Sequence, residues 1–511
     1  MKTTPITATT AITAAAATAA ALSALQPFSP SALAADAPKA RPLNILFIAV
    51  DDMNTRIAPY GDTRAITPNL DALAKRAVRF DRAFCQYPLC SPSRTSLLTG
   101  VRPDYTKVTD LNTHFRKILP NVVTLPQLFK NNGYVSLRVG KIYHYGVPKD
   151  IGTPGLDDPP SWTNTANPAG RDKTDESRVK ILRGALGSGM SYLIGDWPDE
   201  DQTDGMVATQ AIKWLEQNHD RPFFIAAGFF RPHTPYVAPK KYYDMHPLDS
   251  IQLPPQNPDI TKVPAAALES TKPFPFLGAT PAQQRLAIRG YYAVMSFVDA
   301  QIGRVIDALD RLGLADNTII VFWSDNGFNL GEHGLWQKQS LFDPASRVPL
   351  MIAAPGVTDG TDGKTAAKTA GKASPRFVEL VDLYPTLADL AGLKPPAGLQ
   401  GFSLRPLLKN PDAPWTHPAF MQVRDGRGLR NDEWCYTEWG PQGARGRELY
   451  DLRNDPRELN NLADDPAYAA TVAELSKQLR AAFLPIKAKA NADQKADGNQ
   501  KPANKRGKNK K

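Results

Sequence analysis

Four short, uninterrupted apolar runs limit what this chain can fold into more than any other feature: Asn44–Val50, Pro222–Phe229, Thr318–Trp323 and Val348–Ala353. Each is short for a helix and lacks the alternation of a half-exposed strand, so each reads as a strand buried on both faces. Helical patterns lie between them. In Val298–Leu312 the apolar residues Val298, Ile302, Val305, Ile306, Leu309 and Leu312 recur at helical spacing, and Gly313 follows as a C-terminal cap. Phe377–Leu393 is a second helix candidate, with Pro385 expected to kink or divide it. Strands alternating with helices predict an α/β fold, with a large, mostly parallel sheet flanked by helices on both sides.

The 511 residues suit one large α/β domain and a smaller one better than three equal ones. Two stretches carry no clear periodicity: Gly146–Gly205, rich in Gly, Pro, Asp and Ser, and Pro247–Pro281, rich in Pro. Long irregular segments in a compact domain tend to be functional, and these are expected to wall a cleft. After Gly401 the pattern turns to short strand-like pieces such as Glu433–Trp439, then a late helix over Tyr468–Leu484. The expected organisation is a leader over 1–34, a large α/β domain over 35–401, a smaller α+β domain over 402–485 and a basic tail over 486–511.

Asp51 and Asp52 directly follow the first strand. Open α/β sheets bind ligands at the C-terminal ends of parallel strands, although Asp is also a common turn or cap residue. Adjacent carboxylates at a buried strand end repel unless a cation sits between them. Ser324-Asp325-Asn326-Gly327 follows the strand Thr318–Trp323 in the same way. Asp51, Asp52, Asp325 and the Asn326 amide oxygen form a hard oxygen set that suits Ca²⁺ or Mg²⁺ rather than zinc. Further groups follow other strands: Lys141 and His144 after Val135–Val139, and His233 after Pro222–Phe229. Lys338 closes Gly331-Glu332-His333-Gly334-Leu335-Trp336-Gln337-Lys338. Singly, Lys141 and His144 each read as a surface residue. Two Lys and two His converging near a cation make a site for a tetrahedral anion.

The most specific motif is Cys90-Ser91-Pro92-Ser93-Arg94-Thr95-Ser96-Leu97-Leu98-Thr99-Gly100. A lone Cys is more often a small buried hydrophobe than a nucleophile. Pro92 and Arg94 at fixed offsets, with Leu-Leu-Thr-Gly behind them, are much more specific. On this motif the chain resembles the type I sulfatases of the alkaline-phosphatase superfamily. The resemblance covers roughly Asn44–Leu462. The segments VGKIYH, FRPHTPY and GEHGLWQKQSLFD make it most similar to the iduronate-2-sulfatase-type branch.

That resemblance implies an alkaline-phosphatase/sulfatase-like fold and hydrolysis of sulfate esters, with sulfated sugars as the substrate class. It implies that a formylglycine-generating (sulfatase-maturating) enzyme oxidises Cys90 to Cα-formylglycine. The hydrated aldehyde then attacks sulfur through one hydroxyl, and the second hydroxyl lets sulfate leave as the aldehyde reforms. By position, Asp51, Asp52, Asp325 and Asn326, with an oxygen of residue 90, would bind Ca²⁺, Mg²⁺ being possible. Arg94 and His144 would position and activate the nucleophile. Lys141, His233 and Lys338 would hold the sulfate, with His233 protonating the leaving oxygen. Glu332 and His333 are expected to be structural. Members of the iduronate-type branch can carry His where this chain has Asn326, which keeps the metal role but loosens the substrate assignment.

Lys2 is the only charge before Asp36, residues 11–25 are mostly Ala, Leu and Ile, and Ala32-Leu33-Ala34 offers a small-x-small cleavage site. This reads as a removable export signal, the alternatives being an attached leader or an anchor. A bacterial periplasmic or extracellular location follows. No later run reaches about 18 apolar residues, so stable membrane insertion is not expected. The net charge of +10 is concentrated in residues 486–511, with nine Lys/Arg against two Asp. Since the body is nearly neutral, a nucleic-acid partner is not expected. The tail reads as disordered, either holding the enzyme near polyanions or simply solvated. Cys85 and Cys435 could be bridged, but two buried thiols are the preferred reading.

Two other functions share these features. A formylglycine-dependent phosphonate or phosphate ester hydrolase would keep the fold and change the ester. The zinc phosphatases of the superfamily need His-rich two-metal sites, and only seven His are present. A catalytically inactive polyanion-binding relative would explain the tail but not the full set of polar groups.

Overall fold

In the computed structural model, which describes residues 42–360 and 368–483, a nine-stranded mixed sheet carries the architecture. The leader and the basic tail lie outside the described residues. Across the sheet the strands run Arg347–Val348, Val78–Phe84, Leu350–Ala353, Thr318–Ser324, Asn44–Asp51, Phe223–Pro232, Val135–Gly140 and Asn164–Ala166, while Ala373–Glu379 pairs off this path with Val78–Phe84. The five strands from Thr318–Ser324 to Asn164–Ala166 are mutually parallel. Leu350–Ala353 is a buried strand as expected, yet it runs antiparallel to both neighbours. An apolar run shows burial, not direction.

The central strand Asn44–Asp51 is buried along its whole length. Its alternate side chains feed two cores. Leu46, Ile48 and Val50 join one face with the long helix Pro281–Arg311, and Ile45, Phe47 and Ala49 join the other with Leu97 and Leu98 of the helix Cys90–Thr99. This is why the run is apolar at every position rather than every second one.

The helix read over Val298–Leu312 is the second half of Pro281–Arg311, which starts at a Thr280/Gln283 capping box. Gly313, at φ 65°, closes it, and Leu314 N donates to the Leu309 carbonyl. The Phe377–Leu393 helix needs correction. Ala373–Glu379 is a strand, and the helix is only Leu383–Leu390. Pro385 lies in its first turn, where a missing N–H leaves no intrahelical bond unmade, so it breaks nothing.

The irregular stretches hold elements too short to show a period. Met190–Gly195 pairs with Lys180–Arg183 and Tyr236–Pro239, and the helix Thr203–Gln217 begins inside the first stretch. Towards the C-terminus, Ala419–Val423, Gly426–Arg430, Trp434–Trp439 and Arg447–Asp451 form an antiparallel meander. The helix Ala469–Ala482 covers it through Leu475 and Leu479, packed on Leu429, Tyr436 and Leu449. Cys85, Cys90 and Cys435 are all buried and unbridged.

Candidate active site

Parallel register brings the chemistry to one edge of the sheet. Val50 pairs with Ser324, so the acids after each strand become neighbours, and Asp52 N donates to Asp325 Oδ1 at 3.0 Å. On the other side Asp51 pairs with Pro232, which sets His233 Nε2 3.6 Å from Asp52 Oδ2. One strand further out, Gly140 pairs with Gly228, and Lys141 reaches Asp51 Oδ2 at 2.5 Å. Both glycines are required there. A Cβ at Gly140 would stand 2.1 Å from the Gly228 oxygen, and one at Gly228 would stand 2.2 Å from the Lys141 oxygen.

The helix Cys90–Thr99 delivers Cys90 in its first turn and Arg94 one turn later. Cys90 Sγ lies 3.0 Å from Lys338 Nζ and 3.7 Å from Asp52 Oδ1. Arg94 is fully buried. Its Nε donates to Asp325 Oδ2 at 2.7 Å, Nη2 to Asp51 Oδ1 at 3.2 Å, and Nη1 to the Lys141 carbonyl at 2.6 Å. Lys338 Nζ contacts Asp52 Oδ1 at 2.5 Å, and Asn326 Nδ2 donates to the same oxygen at 2.9 Å. His144 stands within the same field of charge, its Nδ1 buried without a partner. All ten residues singled out in the sequence therefore meet at one strand-end cluster.

Three carboxylates face three fixed cations, Arg94, Lys141 and Lys338. Burial works against Asp51, but Lys141, His233, Arg94 and Lys338 hold its carboxyl well below the usual range. Asp325 is pushed up to about 6, by burial first and then by Asp51 and Asp52 crowding it despite Arg94. Burial, followed by Asp51, pushes the Cys90 thiol well above its ordinary value, so the encoded thiol is a poor nucleophile here. Burial and Lys141 push His144 down to about 2, and burial brings His233 to about 4 although Asp52 opposes it. Asp51, Asp52, Cys90 and Asp325 each place one ligand atom within 4.8 Å of the others. Asp52 Oδ2 and Asn326 Oδ1 are buried without hydrogen-bond partners. Unsatisfied hard oxygens among crowded carboxylates fit a Ca²⁺-type cation.

The sequence reading missed the scaffold of this cluster. Tyr291, from the long helix, donates to the Asp52 carbonyl at 2.7 Å and accepts from Asn54 N at 2.9 Å. Ser324 Oγ accepts from Met53 N at 2.9 Å, and Trp323 lies under the Arg94 guanidinium. Only Ser324, next to Asp325, had a positional signal. Glu332 and His333 have contacts of their own: Glu332 accepts from Leu330 N at 2.6 Å and pairs with Arg56, and His333 stacks on Phe342 at 3.8 Å.

A doubly flanked sheet with acids, lysines, histidines and a helix-borne cysteine at its strand ends defines a hydrolase of the alkaline-phosphatase type. The chain belongs to the sulfatase family, whose model matches residues 43–393, and it is a sulfuric ester hydrolase. A second model, N-sulphoglucosamine sulphohydrolase C-terminal, matches residues 331–483. Iduronate 2-sulfatase of Mus musculus is 39% identical over 391 residues, 69% of each chain. A sulfatase of Formosa agariphila is 33% identical over 482 residues, 89% of this chain and 88% of its own. Among solved structures, the phosphonate monoester hydrolase of Agrobacterium radiobacter superposes with a TM-score of 0.72 at 26% identity, covering 87% of this chain and 96% of that one. Among the described residues no helix is long and apolar enough to cross a membrane.

Proposed function

We propose that the protein is an exported sulfatase that removes sulfate from sulfated sugars, using a formylglycine made from Cys90 by a maturating enzyme. The observation that carries this reading is the position of Cys90 Sγ, 3.0 Å from Lys338 Nζ and beside the orphaned Asp52 and Asn326 oxygens. A formylglycine there supplies an oxygen nucleophile with its own means of release. Asp51, Asp52, Asp325 and Asn326, with an oxygen of residue 90, would hold Ca²⁺ or, second, Mg²⁺, which supplies Lewis-acid charge. The three acids and three cations cancel, so a divalent ion leaves the site net positive for an anionic ester.

The chain's own residues then divide the work. Lys338 stays charged: burial opposes this, but Asp52 and Asp51 outweigh it, so its ammonium can hold a sulfate oxygen over residue 90. Lys141 and Arg94 keep Asp51 and Asp325 ionised and oriented. His144 serves as a neutral neighbour of the nucleophile. His233 Nδ1 lies 2.6 Å from the Thr234 carbonyl and must donate there, so the neutral ring presents a bare Nε2. It protonates a leaving oxygen only as the imidazolium, a state that Asp52 favours while burial and Lys338 oppose it.

The leader supports export to a bacterial periplasm or exterior, and the iduronate 2-sulfatase relative supports a sulfated saccharide substrate. One observation favours a second reading: the Agrobacterium relative of the same fold is a phosphonate monoester hydrolase. Rates of the matured protein on matched sulfate, phosphate and phosphonate monoesters decide between them. A higher kcat/KM on the sulfate is expected, and a preference for the phosphonate transfers the assignment.

A further inference from the structure

The segment Gln86–Leu89, which leads into Cys90, is bound by the first hairpin of the C-terminal sheet. Gln422 N donates to the Gln86 carbonyl at 2.9 Å, and Arg424 N donates to the Tyr87 hydroxyl at 2.9 Å. Tyr87 precedes Cys90 by three residues, so its Cα lies within about 11 Å of the nucleophile's. Val423 pairs with Gly426, leaving Arg424 and Asp425 as the whole loop. Arg424 adopts φ 52°, in the left-handed region where two-residue hairpin loops use Gly, Asn or Asp. An arginine held in that conformation points to a requirement for its side chain.

That side chain is oriented but not neutralised. The Arg424 guanidinium lies 5.5 Å from the Trp439 ring centre, and Nη2 donates to the Ala266 carbonyl at 3.0 Å. Its Nε is buried without a partner. Among the described residues no carboxylate stands within ion-pair distance of it, because the nearby acids are engaged elsewhere. Asp425 pairs with Arg445 at 2.7 Å, and Glu269 pairs with Arg445 as well. Asp104 Oδ1 accepts from Arg427 at 3.0 Å and from Gln422 at 3.1 Å. Arg427 Nε is also buried and unpartnered. Burial pushes the Arg424 guanidinium below its ordinary value, and that of Arg427 as well although Asp104 opposes it, whereas the buried Arg94 and Arg430, with carboxylates in contact, are pushed above it. Positive charge removed from water without full compensation favours an anionic ligand.

Resting on the sulfatase reading, we propose that Arg424, with Arg427 beside it, forms a subsite for a second anionic group on a sulfated saccharide whose scissile ester lies at residue 90. The group is a carboxylate or a further sulfate, both of which match a guanidinium fork.

The test compares saccharides that share one scissile sulfate and differ in the neighbouring sugar, which is neutral, a uronate or itself sulfated. On the matured full-length protein, Arg424→Gln is expected to raise KM for the charged members about tenfold, lowering the charged-to-neutral ratio of kcat/KM by about the same factor. Arg424→Lys should recover part of the loss, and Arg427→Gln should cost about threefold. A loss confined to the uronate or to the second sulfate identifies the anion bound. An unchanged charged-to-neutral ratio overturns the subsite. No turnover of any sulfate ester by the parent protein counts against the sulfatase reading instead. Calorimetric affinities of the Cys90→Ala protein for the same saccharides then read the subsite independently: weaker binding of only the charged members in the added Arg424→Gln background supports it, and equal binding overturns it.

Discussion

The strand ends of the large sheet and the interior of the C-terminal sheet both bury charge, and they do so differently. At the strand ends Asp51, Asp52 and Asp325 converge from two strands, while Arg94, Lys141 and Lys338 reach in from a helix, a third strand and a loop. Two oxygens there, Asp52 Oδ2 and Asn326 Oδ1, have no hydrogen-bond partner. In the second cluster Arg430 pairs with Glu458 at 2.5 Å and donates to the Leu341 carbonyl at 2.9 Å, and Glu458 accepts from Asp343 N at 2.8 Å. Glu448 accepts from Trp439 Nε1 at 2.7 Å and the Tyr450 hydroxyl at 2.9 Å. Burial and shifted pKa values are common to both, so neither marks function alone. Glu458 Oε1 also lacks a hydrogen bond, although Arg430 pairs with it, so an unsatisfied oxygen does not distinguish the two clusters either. Three acids converging beside a nucleophile position separate the reactive cluster from the one that joins strands.

Substitutions in the two clusters should fail in opposite ways. Cys90→Ala should lower kcat by about 10⁴-fold or more while leaving the thermal midpoint near that of the parent. Asp325→Asn should cost more than about 100-fold in divalent-cation affinity, read by calorimetric titration, since even outer-shell partners contribute 10–100-fold. Chelation should lower the thermal midpoint of the parent but not of this variant. Arg430→Met reverses the pattern. It leaves Glu458 buried and unpaired, and should cost about 3–5 kcal/mol in denaturant unfolding with little change in kcat of the folded enzyme.

The smallest effect is a pH dependence. Burial pushes the Glu448 carboxyl up to about 7. The folded state therefore favours the protonated form, and its contribution to stability is greatest below the unfolded value of 4.5 and falls as pH rises towards 7. Glu448→Gln should flatten that slope, matching the parent near pH 4 and exceeding it by about 1–3 kcal/mol at pH 8. A parent whose stability does not fall over that interval would remove the contrast between the clusters.

The reactive cluster was legible in the sequence because parallel strands end in a shared crevice. Asp51-Asp52 and Asp325-Asn326 each follow a continuous apolar run, and the cysteine motif is specific at fixed offsets. Support from across the molecule was not legible. Nothing in the sequence around Tyr291 indicates that its hydroxyl holds the Asp52 carbonyl, because that contact spans 239 positions. The direction of Leu350–Ala353 was hidden for a similar reason: burial on both faces reads alike in either orientation. Pro385 suggested a kink only while the helix was taken to start at Phe377. Nothing in the sequence marks Arg424, because its left-handed backbone and the pairing of its neighbouring acids belong to the fold.

In the proposed reaction, residue 90 performs the hydrolysis as an aldehyde within the strand-end cluster. Preparations made with graded amounts of a formylglycine-generating enzyme allow the fraction of residue 90 present as aldehyde, read by peptide mass spectrometry, to be plotted against sulfate ester hydrolysis. A line through the origin is predicted. Full hydrolysis in preparations that retain only cysteine at position 90 would contradict the account.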